Sequence, residues 1–221
     1  ARAAFALPPK NHGNRRVFAY LHRSRGIAAE IINHCIKNDL LYEDAQHHNA
    51  VFVGKDENNN ARYAFLRGTL TGSHFRQEAT GSDKSYGFFL RGSGKTLFVC
   101  EAAIDALSIA TLRKFEGLDW KKDNYLALGG VTASERKLPV ALERTLNNFS
   151  FKRVVLCFDN DAAGQTAARR IFTMLRQRFP ENLEVRTCVP KVKDFNDQLC
   201  VKLQNGKNSP SRGTRESTLS R

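Results

Sequence analysis

Hydrophobic and polar positions follow two different patterns along the chain. In the first part, short apolar runs at 50–53 and 62–66 flank a polar, Asn-rich turn, which predicts a β-hairpin. Helical spacing of apolar residues predicts a helix over 28–41, and a further strand is expected near 86–90. From residue 96 onward, continuous apolar runs alternate with helical stripes. The predicted strands are 96–100, 125–128, 153–158 and 183–189, and the predicted helices are 103–115, 138–147, 163–179 and 195–203.

This alternation predicts an α/β fold. Strands that alternate with helices are typical of a parallel sheet with helices packed on its faces. We therefore expect a central, mostly parallel sheet flanked by helices over 93–205, preceded by a smaller α+β segment over 1–92. A polar, turn-rich composition predicts a disordered tail over 206–221. The longest apolar runs are too short to span a membrane, so a membrane partner is not expected.

Composition and charge favour a nucleic-acid partner. Hydrophobic residues make up 41% and charged residues 26%, as in ordinary globular proteins. The formal net charge is +13, and the basic excess is spread over both predicted parts, which favours polyanions such as DNA. The five cysteines form no CxxC pair, and Cys100, Cys157 and Cys188 lie in apolar runs. They are typical of buried residues in a reducing compartment, so we expect the cytoplasm.

Carboxylates follow three of the predicted strands. Glu101 comes directly after the strand at 96–100, Asp159 and Asp161 follow the strand at 153–158, and Asp194 and Asp197 follow the strand at 183–189. Ligands of open α/β sheets bind at the carboxyl ends of the strands, so these side chains are expected at one edge. Oxygen ligands without His or Cys suit a hard cation such as Mg²⁺ or Mn²⁺.

A purely structural role is possible for each of these residues taken alone. Glu101 could be a solvated residue, Asp159 and Asp161 could cap the helix that follows, and Asp194 and Asp197 could be turn residues. Recurrence at successive strand ends favours a shared site.

The same residues resemble the motifs of the Toprim domain, which occurs in bacterial primases, topoisomerases and some nucleases. The run Val99-Cys-Glu101-Ala-Ala-Ile-Asp105 resembles its first motif, and Asp159-Asn-Asp161-Ala-Ala-Gly164 resembles its Asp-x-Asp motif. Gly129-Gly130 stands where the family has a glycine turn, and Lys193-Asp194-Phe-Asn196-Asp197 is similar to a stretch of replicative primases. The upstream Ser24-Arg-Gly-Ile27 is similar to the opening of a primase catalytic core.

The resemblance implies Mg²⁺-dependent nucleotidyl transfer on DNA, as in primer synthesis during plasmid or mobile-element replication. Glu101, Asp159 and Asp161 would be catalytic, and the metal ligands would come from these three with Asp194 and Asp197. The partners would be single-stranded template DNA, nucleoside triphosphates and a helicase or relaxase. The residues that would bind template phosphates are the basic residues Arg15, Arg16, Arg23, Arg25 and Lys193.

Two other functions fit the same residues. In a Toprim nuclease, the same carboxylates would activate water and cut DNA. In a non-catalytic DNA-binding accessory module, the Toprim site would be vestigial. The second alternative rests on Ala102, where the family usually has Gly, and on Asn196, where replicative primases have Asp.

A glycine-rich run before the strand at 96–100 resembles part of a nucleotide-binding motif. The run Arg91-Gly-Ser-Gly-Lys-Thr96 resembles the end of a Walker A loop, but Phe89 stands where that loop needs its first Gly. The run also leads into a strand, whereas a Walker A loop opens a helix. We therefore do not expect nucleotide binding there.

Overall fold

The computed structural model describes residues 4–70, 72–130 and 137–208. Its helices are α1 (Arg15–Ala19), α2 (Ala29–Lys37), α3 (Ala103–Phe115), α4 (Val140–Asn148), α5 (Ala162–Arg178) and α6 (Phe195–Asn208). A π-helical turn (Tyr20–Ser24) continues α1, and a 3₁₀ turn (Trp120–Lys122) precedes β7. Its strands are β1 (Leu41–Glu43), β2 (Ala50–Lys55), β3 (Ala61–Arg67), β4 (Arg76–Glu78), β5 (Phe88–Leu90), β6 (Thr96–Cys100), β7 (Asp123–Ala127), β8 (Arg153–Cys157) and β9 (Glu184–Thr187).

The strands form two sheets. The smaller sheet is an antiparallel meander in the order β1-β2-β3-β4, and it contains the predicted hairpin as β2 and β3. The larger sheet has the order β5-β7-β6-β8-β9. Strands β7, β6, β8 and β9 are parallel, and β5 joins them as an antiparallel edge strand beside β7. The expected division at residue 92 therefore falls after a strand that belongs to the larger sheet.

Both faces of the larger sheet are covered by helices. Alternate residues of its strands point to opposite faces, so Cys100 and Cys157 pack with α3 and α6, while Val99 and Leu156 pack with α4 and α5. The first of these cores also takes in buried residues of α1 and α2, such as Val17 and Ile31. The two predicted parts of the chain are therefore joined by one continuous hydrophobic core.

The predicted α/β class is confirmed, with a mostly parallel sheet and a smaller α+β part before it. Helix α3 and strand β6 have the predicted bounds, and the other predicted elements shift by a few residues at their ends. The helix predicted over 28–41 ends at Lys37, and Leu41 begins β1. Helix α6 continues to Asn208, so residues 206–208 are helical and the predicted disordered tail does not begin at 206. The remainder of that tail, 209–221, lies outside the described residues. Within the described ranges, no helix carries an apolar stretch that could cross a membrane.

Candidate active site

Two carboxylates meet at the carboxyl ends of β6 and β8. These strands are parallel neighbours, with Cys100 beside Cys157 in register. Glu101 follows β6 directly, and Asp159 lies two residues beyond the end of β8. The backbone N–H of Asp159 lies 3.4 Å from Glu101 Oε1 and donates a hydrogen bond to it. Both side chains are half-buried, so the predicted convergence of these two strand ends is present.

Asp161 begins α5 as its N-cap. Its Oδ1 accepts a hydrogen bond from the backbone N–H of Gly164 at 2.8 Å. A Cβ at position 164 would lie 2.5 Å from the Asp159 carbonyl and 3.0 Å from Glu101 Oε1, so only glycine fits this first turn. The capping role weighed in the sequence analysis is therefore real for Asp161. Because Asp161 is exposed, part of its carboxylate remains accessible to solvent.

The glycine turn after β7 closes over Glu101 from the other side. The backbone N–H groups of Gly129 and Gly130 both donate to the Glu101 carbonyl, at 3.0 and 3.1 Å. Both residues have positive φ, 73° and 103°, which glycine adopts without strain. A Cβ on Gly129 would lie 2.4 Å from the Tyr63 hydroxyl of β3. The turn thus needs glycine both for its own backbone and for the approach of the smaller sheet.

The third predicted strand end also reaches the site. The backbone N–H of Asn160 donates to the Lys193 carbonyl at 2.8 Å, which joins the loop after β8 to the loop before α6. Asp194 accepts a hydrogen bond from the Asp197 backbone N–H at 2.7 Å and so caps the first turn of α6. Asp194 is half-buried, whereas Lys193 and Asp197 are exposed.

The carboxylates repel one another in a partly desolvated site. Burial, assisted by the negative charges of Asp159 and Asp161, raises the pKa of Glu101 to about 7. Burial also raises the pKa of Asp159 to about 6, assisted by Asp194 and Asp161 and opposed by Lys193. Such raised values are typical of sites where a group is needed in either protonation state near neutral pH.

The chemistry of this donor set fits a hard divalent cation. All of the candidate ligands are carboxylates, and a cation would offset the repulsion that, together with burial, raises the pKa values of Glu101 and Asp159. Over the described ranges, however, no three Asp, Glu, His or Cys side chains are grouped so that they could hold a metal ion together. The predicted ligand set of Glu101, Asp159, Asp161, Asp194 and Asp197 therefore stays a prediction.

The side chain of Asn196 is buried in the protein interior and forms hydrogen bonds there. It is 3% exposed, and its side-chain amide donates to the Arg25 carbonyl at 2.8 Å and to Ser108 Oγ at 3.0 Å. Its carbonyl oxygen accepts a hydrogen bond from Arg25 Nη1 at 3.2 Å. Since both ends of the amide are used, Asn196 holds the N-terminal part against α3 and α6.

The smaller sheet supplies cations that face the carboxylates. A cavity of about 230 Å³ is lined by Arg67 and Arg76 of β3 and β4 on one side and by Asp105, Asp159 and Asp194 on the other. Lys193 and Arg25 also line it. A neighbouring cavity of about 340 Å³ is lined by Tyr63, Arg76, Glu101 and the glycine turn. Acidic and basic groups thus meet where the two sheets face each other.

The other predicted phosphate-binding residues differ in their exposure and in the contacts that they already make. Arg15, Arg16 and Arg23 are exposed on α1 and the π-helical turn. Arg25 is half-buried, donates through Nε to the Tyr20 hydroxyl at 2.9 Å and stacks over the Tyr20 ring. It lies at the cavity, but much of its guanidinium is already engaged.

Comparison with known families divides the chain into two matched segments. A family described as "Protein of unknown function (DUF3991)" matches residues 19–95, and a family described as "Toprim-like" matches residues 98–199. The second match contains Glu101, Asp159, Asp161, Asp194 and Asp197. Residues 98–199 form a Toprim-like domain. A comparison with curated protein sequences gives no match.

Solved primase structures share the fold of most of the chain. The primase fragment of the bacteriophage T7 primase-helicase protein superposes with a TM-score of 0.58 at 23% identity, covering 84% of this chain and 69% of that one. The E. coli primase catalytic core superposes with a TM-score of 0.56 at 15% identity, covering 87% of this chain and 70% of that one. At these identities the likeness establishes the fold alone: a Toprim-like domain preceded by a smaller α+β part, arranged as in a primase core.

Three residues of the Toprim-like site and its surroundings were not singled out from the sequence. Asp105 is 7% exposed, and burial, together with the charge of Asp194, raises its pKa to about 8. Its position four residues after Glu101, on the first turn of α3, was the available signal. No sequence pattern indicated Arg67 and Arg76 as site residues, because only the packing of the smaller sheet brings them to the carboxylates.

Proposed function

We propose that this protein catalyses divalent-metal-dependent nucleotidyl transfer on DNA, of the kind that makes primers. The observation that carries the proposal is the cavity in which Asp105, Asp159 and Asp194 face Arg67 and Arg76. A nucleoside triphosphate needs cationic partners for its phosphates and carboxylates for its metal ion. The fold of a primase core over most of the chain supports the same assignment.

Glu101 and Asp159 would hold Mg²⁺ or Mn²⁺, with Asp161 contributing its free oxygen and Asp194 and Asp197 completing the outer part of the site. The bound ion would stabilise negative charge at the attacked phosphate and lower the pKa of the attacking 3′-hydroxyl. Glu101, with a pKa of about 7, can hold or release a proton near neutral pH, which suits an acid/base role.

Arg67, Arg76 and Lys193 would bind the triphosphate. The Nε of Arg67 is buried without a hydrogen-bond partner among the described residues. An unpaired buried donor is costly, and a phosphate oxygen would satisfy it. Arg15, Arg16 and Arg23 are exposed and free to bind template phosphates, whereas Arg25 would act mainly by holding Asn196.

The proposal is tested by extension of a primer strand. The protein is incubated with single-stranded template, nucleoside triphosphates and Mg²⁺, and wild type is compared with Glu101→Gln. We expect products with wild type and a loss of at least about 10²-fold with Glu101→Gln, the size typical of losing an acid/base group. DNA binding should be unchanged in the variant, because Glu101 faces the reacting phosphate and not the template backbone.

Other results would assign the site differently. Shortened template in place of extended product would make the protein a nuclease that uses the same carboxylates. Salt-dependent DNA binding with no turnover in Mg²⁺ or Mn²⁺ would indicate the accessory module. An activity that Glu101→Gln retains would contradict the role of Glu101.

The wider setting is part of the same proposal. We propose a cytoplasmic protein of plasmid or mobile-element replication that works beside a helicase or relaxase. The phage T7 match is the primase fragment of a primase-helicase protein, which supports a helicase as the first partner to test.

A further inference from the structure

The strongest unassigned feature lies at the amino ends of the parallel strands, on the opposite edge of the sheet from the carboxylates. Lys95, Lys122 and Lys152 each directly precede a strand: β6, β7 and β8 respectively. Strands β7, β6 and β8 are adjacent, and Thr96 is in register with both Asp123 and Arg153. The three lysines therefore stand side by side across the sheet, and we call them the lysine row.

Backbone hydrogen bonds fix this arrangement. The N–H of Lys152 donates to the Lys95 carbonyl at 2.9 Å, and the N–H of Gly94 donates to the Lys122 carbonyl at 2.9 Å. Neighbouring strands lie about 4.8 Å apart, so the row spans about 10 Å. It is separated from Glu101 by the length of β6, six residues or about 20 Å. The row is thus a surface distinct from the candidate active site.

The charge of the row is not offset by the protein itself. All three lysines are exposed, and none forms an ion pair with a carboxylate in the described part of the chain. Of the nearby carboxylates, Asp123 pairs with Arg113, Glu184 pairs with Arg153 and Arg186, and Asp119 accepts a hydrogen bond from the backbone N–H of Lys121. Like charges held together without counter-charges repel one another, so an arrangement of this kind favours a bound polyanion.

The run Arg91-Gly-Ser-Gly-Lys-Thr96 forms one side of the row. Its amides do not form a phosphate cradle, because the N–H of Gly92 donates to Asn124 Oδ1 and those of Ser93 and Gly94 donate to backbone carbonyls. A Cβ at Gly92 or Gly94 would lie 2.0 or 2.2 Å from a carbonyl oxygen of the neighbouring segment. The glycines therefore let this loop pack closely and present Arg91 and Lys95 at the surface.

An aromatic cleft continues from the row. A cavity of about 310 Å³ is lined by Arg91, Lys95, Asn148, Phe149 and Phe151, among others. The Phe149 ring lies 4.6 Å from the Arg91 guanidinium carbon and 6.4 Å, between centroids, from the Phe151 ring. Cations that bind phosphates beside aromatic rings that stack on bases are the usual elements of a single-strand binding surface.

We infer that the lysine row and its aromatic cleft bind single-stranded nucleic acid, at a site separate from the active site. The three cations are spread over about 10 Å and can contact neighbouring phosphates of one strand. The surface would hold template or product that extends beyond the catalytic cavity. This inference is independent of the catalytic proposal, because binding here needs neither metal nor turnover.

The test compares two variants that change the net charge equally. The first carries Lys95→Gln, Lys122→Gln and Lys152→Gln. The control carries Lys10→Gln, Lys84→Gln and Lys202→Gln, three exposed lysines that each face a carboxylate. Binding of a fluorescent oligothymidylate is followed by anisotropy over a range of salt concentrations, with EDTA present so that catalysis does not contribute.

We expect the row variant to lower the slope of log K against log salt by about 2, since each lost contact to a single strand contributes about 0.7. If the affinities converge near 1 M salt, this is about 100-fold weaker binding at 0.1 M. The control should keep the wild-type slope, and bound DNA should protect the row from lysine acylation. Equal slopes for the two variants would overturn the inference. Binding of polyglutamate, but not of oligothymidylate, through the row would assign it to an acidic protein segment.

Discussion

Asn196 and Arg25 are joined by hydrogen bonds in both directions. The Asn196 amide donates to the Arg25 carbonyl at 2.8 Å, and Arg25 Nη1 donates to the Asn196 carbonyl oxygen at 3.2 Å. The first bond can be made only by an amide, because a carboxylate has no donor to give. The residue that departs from the replicative-primase pattern is therefore used to attach the N-terminal part of the chain to α6.

The variant Asn196→Asp should lose stability even though it restores the primase residue. It would leave the Arg25 carbonyl without its donor and bury a carboxylate beside Asp105, so we expect a loss of about 1–3 kcal/mol in the free energy of unfolding. Urea denaturation measures this, with the exposed Asp197→Asn as the matched control. A variant as stable as wild type that also binds Mn²⁺ more tightly would instead make position 196 a metal ligand.

Asp105 should give the metal-free protein a distinct pH dependence. Its pKa is raised to about 8 in the folded state, so the folded state holds its proton more tightly than the unfolded state does. Wild type should therefore lose stability as pH rises from about 4 towards 8, in the range between the two pKa values. Asp105→Asn cannot ionise and should escape this loss.

The measurement is the difference in Tm between wild type and Asp105→Asn in EDTA. We expect similar values at about pH 4, a growing advantage for the variant as the pH rises to about 8, and a constant difference above that pH. A difference that is constant from about pH 4 to about pH 8 would show that Asp105 does not titrate there.

Asp159→Asn should abolish Mn²⁺ binding and leave Tm at pH 8 unchanged or raised. Its pKa of about 6 means that wild type carries this charge at pH 8 against the repulsion of Asp194 and Asp161. Titration calorimetry with Mn²⁺ and thermal denaturation measure the two effects. As a control, Asp161→Ala removes the cap on Gly164 and should cost about 1 kcal/mol of stability. A clear loss of stability in Asp159→Asn would indicate a structural role for Asp159.

Cys188 should be the most reactive of the five thiols. It was expected to be buried, but it is exposed one residue beyond β9, while Cys35, Cys100 and Cys157 are buried. A hydrogen bond with the Cys157 side chain lowers the pKa of Cys188 to about 7, and thiolates are the reactive form. Iodoacetamide at pH 7.5 should label Cys188 first, with Cys188→Ser removing the fast phase. Faster labelling of Cys200, the partly exposed thiol, would contradict this.

The sequence by itself determined the α/β class and the order of its elements. Continuous apolar runs at 96–100 and 153–158 reflect strands that are buried on both faces of a sheet. The apolar stripe on α5 reflects a helix that is buried on one face. Both patterns can be recognised within a short stretch of sequence. The convergence of Glu101 with Asp159 was predictable for the same reason, because parallel neighbouring strands end at the same edge. The last turn of α6 was missed because its composition is polar, and the short elements α1, β1 and β4 were not predicted.

Tertiary structure alone decided which residues face the carboxylates. Arg67 and Arg76 reach the cavity because the smaller sheet packs against the larger one, and no local pattern encodes that approach. The engagement of Asn196 with Arg25 spans 171 positions of sequence, and the lysine row exists only because three distant segments share one strand register. Contacts of this kind depend on how whole helices and strands pack together. Hydrophobic periodicity predicts whether a segment is a helix or a strand, but it does not predict which other element that segment packs against.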